Sequence, residues 1–302
     1  MLIAVIGAGA VGCFFGGMLA KAGEEVVLVG RKRHVDVIQA EGLRFESRAF
    51  DMRVDIGATT DPAAVADADI VLVCVKSVDT EDAARQMLPY LRPDALVVSL
   101  QNGIDNAARL EAALERPVIA AAVYVASEMA GPGHLRHHGR GDLIIGMAPG
   151  SQIVAKVFSH AGVPTVASPD VGAALWGKLI LNCAYNAMSA IVQLPYGQIR
   201  DVPSANAAMT AIVAECLAVA RAEGVTIASD AASQVDHIRG TIPLGQQSSM
   251  AQDFAQGRPS EIASLNGEIV RRGAALGIDT PANQVVVALV ELLEKGRGVS
   301  GG

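Results

Sequence analysis

The chain has 302 residues, 51% of them hydrophobic and 18% charged, with a formal net charge of −7. So much apolar side chain excludes a disordered chain, and a length near 300 suits two packed domains better than one. The acidic balance leaves no basic surplus to neutralise phosphates, so nucleic acid is not an expected partner.

Residues 1–20 carry no charged side chain. They hold five glycines and no basic residue ahead of the apolar run, which makes a poor signal peptide. The stretch reads instead as a buried strand over Leu2–Ile6, a glycine turn, and a helix over Ala10–Ala22 closed by Gly23. Val26–Val29, Ile70–Val75 and Leu96–Ser99 are further buried strands. Helical patterns lie between them, near residues 33–41, 79–89 and 105–114. This alternation predicts a parallel sheet covered on both faces. Between residues 118 and 168 the strands crowd together as Val118–Val125, Gly133–His138, Asp142–Gly146 and Thr165–Ala167, with one helix near 151–161. They suggest an added antiparallel portion.

After Pro169 the strand signals fade. Ala-rich helical patterns follow over residues 170–192, 203–223, 228–239, 260–276 and 281–295, and the tail Gly296–Gly302 is expected to fray. The domain boundary is placed near Ser168–Asp170, giving residues 1–168 and 169–302. The fold class is therefore α/β: an N-terminal Rossmann-like domain with a mostly parallel sheet, then an all-α domain. Residues 179–199 are also uncharged, but Asn182, Asn186, Gln193, Pro195, Gly197 and Gln198 are unsuited to a spanning helix. No membrane partner is expected, and with no transit or lipidation motif a cytoplasmic location is.

The four cysteines, Cys13, Cys74, Cys183 and Cys216, form no C-x-x-C pair and sit in apolar segments. They read as buried thiols in a reducing compartment. His134, His137 and His138 cluster without a Cys or carboxylate at ligand spacing, so no metal is expected.

Gly7-Ala8-Gly9-Ala10-Val11-Gly12 matches G-x-G-x-x-G directly after a strand and at the opening of a helix, the context in which that pattern has a mechanism. Gly7 would make the tight turn, Gly9 would let a pyrophosphate approach the backbone, and Gly12 would let helix and strand pack closely. The helix N-terminus, at Ala10 and Val11, would offer its N–H groups to the phosphates. A glycine turn without a ligand is the bland alternative. The end of the second strand reads Val29-Gly30-Arg31-Lys32-Arg33. NAD-binding folds usually place a carboxylate there for the ribose 2′-OH. Three cations stand in its place and suit a 2′-phosphate, so the expected cofactor is NADP(H), with Arg31 as its principal contact. A solvated basic turn is the alternative, disfavoured by cations standing at a helix N-terminus. Lys76 follows the third strand and could meet cofactor phosphate, ribose or the substrate. Asn102, in Gln101-Asn102-Gly103, could hydrogen-bond near the nicotinamide. Taken singly, each is as well read as a surface lysine and an ordinary Asn-Gly turn.

In the helical half, Lys178, Asn182 and Asn186 stand at i, i+4 and i+8. On a helix they form one stripe, drifting about 40° per step. Their neighbours are almost all apolar, so the stripe either faces another polar surface or lines a cleft. A partly desolvated lysine there suits a general acid. Ser249 could bind a carboxylate or cap a helix. Glu261, after the start signal Pro259-Ser260, could accept hydrogen bonds from substrate hydroxyls or be a plain first-turn acid.

On these residues the chain resembles the ketopantoate reductase (2-dehydropantoate 2-reductase) family nearly end to end. The resemblance takes in Gly7–Gly12 with Arg31, Lys76, Gln101-Asn102-Gly103 and the stretch GHLRHHGRGDLIIG that ends at Gly146. It continues through Trp176–Asn186 and closes with Ser248-Ser249-Met250-x-Gln252-Asp253 and Glu261. It implies NADPH-dependent reduction of ketopantoate to pantoate, on the route to pantothenate and coenzyme A. Lys178 would protonate the ketone oxygen, with Glu261 holding the substrate hydroxyl and helping to set the state of Lys178. Asn182 and Asn186 would orient the substrate, and Ser249 would bind its carboxylate. Asn102 would sit between nicotinamide and substrate with Lys76 close by, and Arg31 would take the 2′-phosphate. A paralogous reductase of another 2-oxoacid would share this machinery. A non-catalytic NADPH-binding sensor would not need Lys178 or Glu261. The Ala-rich helices leave a homodimer open.

Overall fold

The computed structural model describes residues 1–227 and 229–298. The expected helix start at 228 and the end of the expected frayed tail, 299–302, lie outside those residues. Two units divide the chain, Met1–Val171 and Gly172–Gly302.

In the first unit the elements are β1 (Leu2–Ile6), α1 (Ala10–Lys21), β2 (Glu25–Val29), α2 (Lys32–Glu41), β3 (Leu43–Glu46), β4 (Asp51–Val54) and β5 (Gly57–Thr59). Then come β6 (Ile70–Val73), α3 (Thr80–Met87), β7 (Leu96–Ser99), α4 (Asn106–Leu114), β8 (Val118–Gly131), β9 (His134–Gly146), α5 (Ser151–His160) and β10 (Thr165–Ser168). The sheet order is β4-β3-β9-β8-β7-β6-β1-β2-β5, with β10 also on β9. From β5 to β8 every pairing is parallel. The chain leaves β1 for β2 on one side and returns to β6 on the other, so the order reverses between β1 and β6. Crevices for ligands open at the carboxyl ends of strands at such a point.

Both faces of this sheet are covered, which is why its strands read as unbroken apolar runs. Ile3 and Val5 pack with Phe15, Leu19 and Phe158 on one face. Ala4 and Ile6 pack with Met87 and Leu110 on the other.

Several expectations need correction. No strand was expected between residues 43 and 59, where β3, β4 and β5 lie. Each is three or four residues long, too short to set up a visible alternation, and β3 depends on pairing with β9 about ninety positions later. The expected pair Gly133–His138 and Asp142–Gly146 is one strand, β9. Its ladder with β8 shifts register around Tyr124–Ser127 instead of ending there, and Gly139, Arg140 and Gly141 absorb the irregularity with positive φ. β8 continues six residues past the expected Val125. β10 pairs parallel to β9, so only the β8/β9 ribbon fits the expected antiparallel addition.

The second unit is helical: α6 (Val171–Val192, its first residue in the sheet unit), α7 (Tyr196–Arg200), α8 (Pro203–Ala222), α9 (Ala231–Thr241), α10 (Ser249–Ala255), α11 (Asn266–Leu276) and α12 (Pro281–Gly296). Pro203 and Pro281 open α8 and α12, where a missing N–H costs nothing. The Asp230 side chain caps α9 by accepting from the Ser233 N–H at 2.8 Å. Among the described residues, α8 is long and apolar enough to cross a membrane by length and composition. One face of it, including Met209, Val213 and Leu217, is buried, and its Glu215 accepts from the backbone N–H groups of Ala282 and Asn283 at the start of α12. Those contacts fit a core helix of the unit. The helix expected over 260–276 is broken: a short 3-10 turn covers Ile262–Ser264, Leu265 departs from helical geometry, and α11 starts at Asn266. The short helices α7 and α10 were not expected.

Candidate active site

The sheet unit presents its candidate residues along one edge. Gly7 has φ +111, and a Cβ there would fall 2.8 Å from the backbone carbon of Cys74. That close approach brings the glycine turn against the end of β6. A Cβ on Gly12 would lie 2.1 Å from the Gly7 carbonyl oxygen, so only glycine lets α1 start this near the strand. A Cβ on Gly9 would meet nothing within 4 Å. Gly9 is exposed and is the N-cap of α1, with no side chain satisfying the first N–H groups. The turn therefore offers open backbone donors, including those near Ala10 and Val11, with the positive end of the helix dipole behind them.

Arg31 follows β2 as the N-cap of α2, exposed like Lys32 and Arg33. Lys32 pairs with Asp36 at 2.8 Å. Among the described residues Arg31 makes no ion pair, and no carboxylate stands where an NAD-type site carries one. Lys76 follows β6, and Asn102 follows β7. Since β2, β1, β6 and β7 are successive neighbours, Arg31, the glycine turn, Lys76 and Asn102 line up in that order across roughly 14 Å of strand spacing. A basic end, a turn with open backbone donors and a polar end in sequence suit an extended dinucleotide.

In the helical unit Lys178, Asn182 and Asn186 do share one stripe of α6. Lys178 is half-buried, while Asn182 and Asn186 are 8% and 3% exposed. Among the described residues neither asparagine side chain makes a hydrogen bond, and their amide atoms are not sealed from solvent, so both can take a partner from outside the chain. Ser248 and Asn266 fasten other elements to this helix. The Ser248 hydroxyl donates to the Asn186 carbonyl at 3.0 Å and accepts from the Ala251 N–H at 3.0 Å. Ser248 is thus the cap of α10, worth about 1 kcal/mol, and Ser249 is the exposed first residue of that helix. Of the two roles weighed for Ser249, capping falls to its neighbour. The Asn266 amide donates to the Cys183 carbonyl at 3.1 Å and to Asn283 Oδ1 at 2.9 Å, which ties the start of α11 to α6. Glu261, half-buried, stands five residues before that tie, at the head of the 3-10 turn rather than in the first turn of an α-helix.

The family model described as ketopantoate reductase PanE/ApbA matches residues 3–150, and the one described as ketopantoate reductase PanE/ApbA C terminal matches residues 170–294. The chain belongs to the ketopantoate reductase family. A 2-dehydropantoate 2-reductase of Halobacterium salinarum is 34% identical over 307 residues, covering 98% of this chain and 99% of that protein. A crystal structure of a PanE/ApbA family ketopantoate reductase from Ralstonia eutropha JMP134 is 55% identical, with a TM-score of 0.94, over 99% of this chain and all of that one. D-mandelate dehydrogenase, solved with NADH and anilino(oxo)acetate, shares the fold at a TM-score of 0.92 and 24% identity, over 99% of this chain and 100% of that one.

Membership of the ketopantoate reductase family makes the chain an oxidoreductase using a nicotinamide cofactor. Beyond the residues read from sequence, the structure adds a buried polar group behind Lys76 and Asn102: Ser77, Thr80, Gln101 and Asn106 are each at most 5% exposed. Gln101 lies in the Gln-Asn-Gly motif and was visible there. The others look in sequence like ordinary first-turn residues of two surface helices. The three clustered histidines are engaged separately: His134 with Glu46 at 2.8 Å, His138 with Glu128 at 3.1 Å, and His137 against the Phe14 ring.

Proposed function

We propose that this chain reduces 2-dehydropantoate to pantoate with NADPH, in the cytoplasm, as a step toward pantothenate and coenzyme A. The observation that carries the reading is the α6 stripe, in which Lys178 is followed at helical spacing by Asn182 and Asn186, whose solvent-reachable amides hydrogen-bond to no described residue. A small substrate with a ketone, a carboxylate and a hydroxyl offers acceptors and a donor to those two amides.

NADPH, when bound, supplies a hydride to the keto carbon. The chain's own residues do the rest. Lys178 holds a proton at Nζ and gives it to the ketone oxygen, and before transfer its charge opposes the negative charge growing there. Asn182 and Asn186 orient the substrate through their amides. The Ser249 hydroxyl binds the carboxylate. Glu261 accepts from the substrate hydroxyl and helps to keep Lys178 in its protonated state. Gly7, Gly9, Ala10, Val11 and Gly12 seat the pyrophosphate on backbone N–H groups, and Arg31 pairs with the 2′-phosphate. Lys76 and Asn102 hold the nicotinamide end. The working form is a homodimer through the helical unit: α12 exposes Val285, Leu289 and Leu292 on one face, apolar side chains that a second copy would cover.

A second reading is reduction of another 2-oxoacid. D-mandelate dehydrogenase shares this fold almost as fully as the Ralstonia eutropha reductase does, so architecture alone does not choose the substrate. The test is a spectrophotometric screen of NADPH oxidation across 2-oxoacids, with NADH as the control. Ketopantoate should give the highest kcat/KM, and NADH should serve poorly. A different best 2-oxoacid selects the second reading, and no oxidation with any of them contradicts both.

A further inference from the structure

We infer that Asn106 is a positioning residue that holds the loops of Lys76 and Asn102 in register; the inference rests on the proposed function, which puts both residues in the site. Asn106 is the first residue of α4, where a polar side chain ordinarily faces water. Here it is 4% exposed, and its amide is used to full capacity. Nδ2 donates to Ser77 Oγ at 2.9 Å and to the Asn102 carbonyl oxygen. Oδ1 accepts from Thr80 Oγ1 at 3.0 Å and from Arg109 Nη1 at 3.1 Å. The Arg109 guanidinium is itself gripped by Glu81 through two contacts of 2.6 Å. The orientation of the amide is not arbitrary, because the group facing a carbonyl oxygen must be the donor.

The bonds to Ser77 and Asn102 cross from α4 to the loops after β6 and β7, and the bond to Thr80 reaches the first residue of α3. Ser77 Oγ adds a second donor to the Asn102 carbonyl at 3.0 Å. Gln101 Nε2 donates to the Val75 carbonyl at 3.2 Å and to Thr80 Oγ1 at 2.8 Å. The residues on both sides of Lys76 are therefore bonded to the segment Gln101–Asn106. A local cap would satisfy only its own helix. This network locks two loops that arise from neighbouring strands, and it does so behind the side chains assigned to the nicotinamide end. Displacement of a reacting group by about 1 Å costs as much as 100-fold in rate, and a network of this kind prevents such drift.

The test compares wild type with Asn106→Ala, Ser77→Ala, Lys76→Ala and Asn102→Ala. It reads kcat, the KM for ketopantoate and NADPH, the affinity for 2′,5′-ADP, and the melting temperature. The ADP fragment reports on the glycine turn and Arg31 without the nicotinamide. Asn106→Ala should lower kcat about 10- to 100-fold while 2′,5′-ADP affinity stays at the wild-type value. Ser77→Ala, which removes one of the two donors to the Asn102 carbonyl, should act in the same direction and less strongly. Wild-type kcat in both variants overturns the inference, as does a fall in 2′,5′-ADP affinity that tracks the fall in kcat. Impairment in Lys76→Ala and Asn102→Ala with none in Asn106→Ala overturns this inference alone. Wild-type behaviour of the Lys76 and Asn102 variants overturns the site assignment together with it.

Discussion

Along the sheet edge of Met1–Val171 the candidate cofactor contacts are largely backbone, whereas in Gly172–Gly302 the candidate substrate contacts are side chains on α6 and on the elements tied to it. The glycine turn depends on missing atoms: a Cβ at Gly12 has no room, and the space a Cβ at Gly9 would take is open, where the proposed function seats the pyrophosphate. On α6 the proposal instead uses polar side chains set among apolar ones, Lys178, Asn182 and Asn186, to meet a substrate. In the first region binding and folding share one set of atoms. In the second the proposal separates them: Leu179, Ile180 and Ala184 pack α6 through apolar side chains, while the asparagine amides hydrogen-bond to no described residue.

This contrast can be broken at its strongest point by Gly12→Ala. The added methyl must push the Gly7 carbonyl aside, so stability should fall by about 3 kcal/mol, the upper part of the overpacking range, and 2′,5′-ADP affinity should fall with it. Thermal melts and calorimetric titration read both, and loss of one without the other would separate what the contrast joins. Asn182→Leu probes the other side. The Asn182 amide has no hydrogen-bond partner among the described residues, so a similar apolar volume in its place should leave the melting temperature equal or higher. Meanwhile kcat/KM for the 2-oxoacid should drop about 30-fold, the equivalent of about 2 kcal/mol. A melting temperature that falls in step with activity would show that the stripe is structural.

The smallest effect belongs to the sheet unit alone. Burial against Phe14 and Phe45 holds the His137 imidazole below the usual histidine value, more than the carbonyls of Arg140 and Gly139 raise it. The folded chain thus prefers the neutral ring. The stabilising contribution is whole above about pH 6.5 and declines as the pH falls below that value, where the unfolded chain takes up the proton more readily. Urea unfolding at pH 7.5 and 5.5 should show a loss on acidification that is smaller in His137→Gln. An equal loss in both proteins removes His137 from the account.

The parallel core of the sheet was legible because strands buried on both faces need continuous apolar runs, and Leu96–Ser99 matches its expected bounds. The glycine turn was legible because its chemistry demands glycine at fixed spacing. What stayed hidden depends on partners far along the chain. β4 exposes three of its four residues and exists because β3 is beside it. The polar second half of β8 is held by cross-strand contacts such as Glu128 with His138. The stripe on α6 showed itself through helical periodicity, but the α10 cap at Ser248 did not: two adjacent serines are equivalent in sequence, and only the position of the Asn186 carbonyl separates them. Asn106 was invisible for the same reason, since its bond to Ser77 reaches a loop 29 residues upstream.

The most direct test of the central claim is the turnover of Lys178→Ala with NADPH and ketopantoate, measured beside its affinity for NADPH. The account predicts a kcat lower by about 100- to 10,000-fold, the range for loss of a positioned general acid, with NADPH bound as tightly as by wild type. Turnover close to wild type would contradict it, because no proton would then be coming from this ammonium.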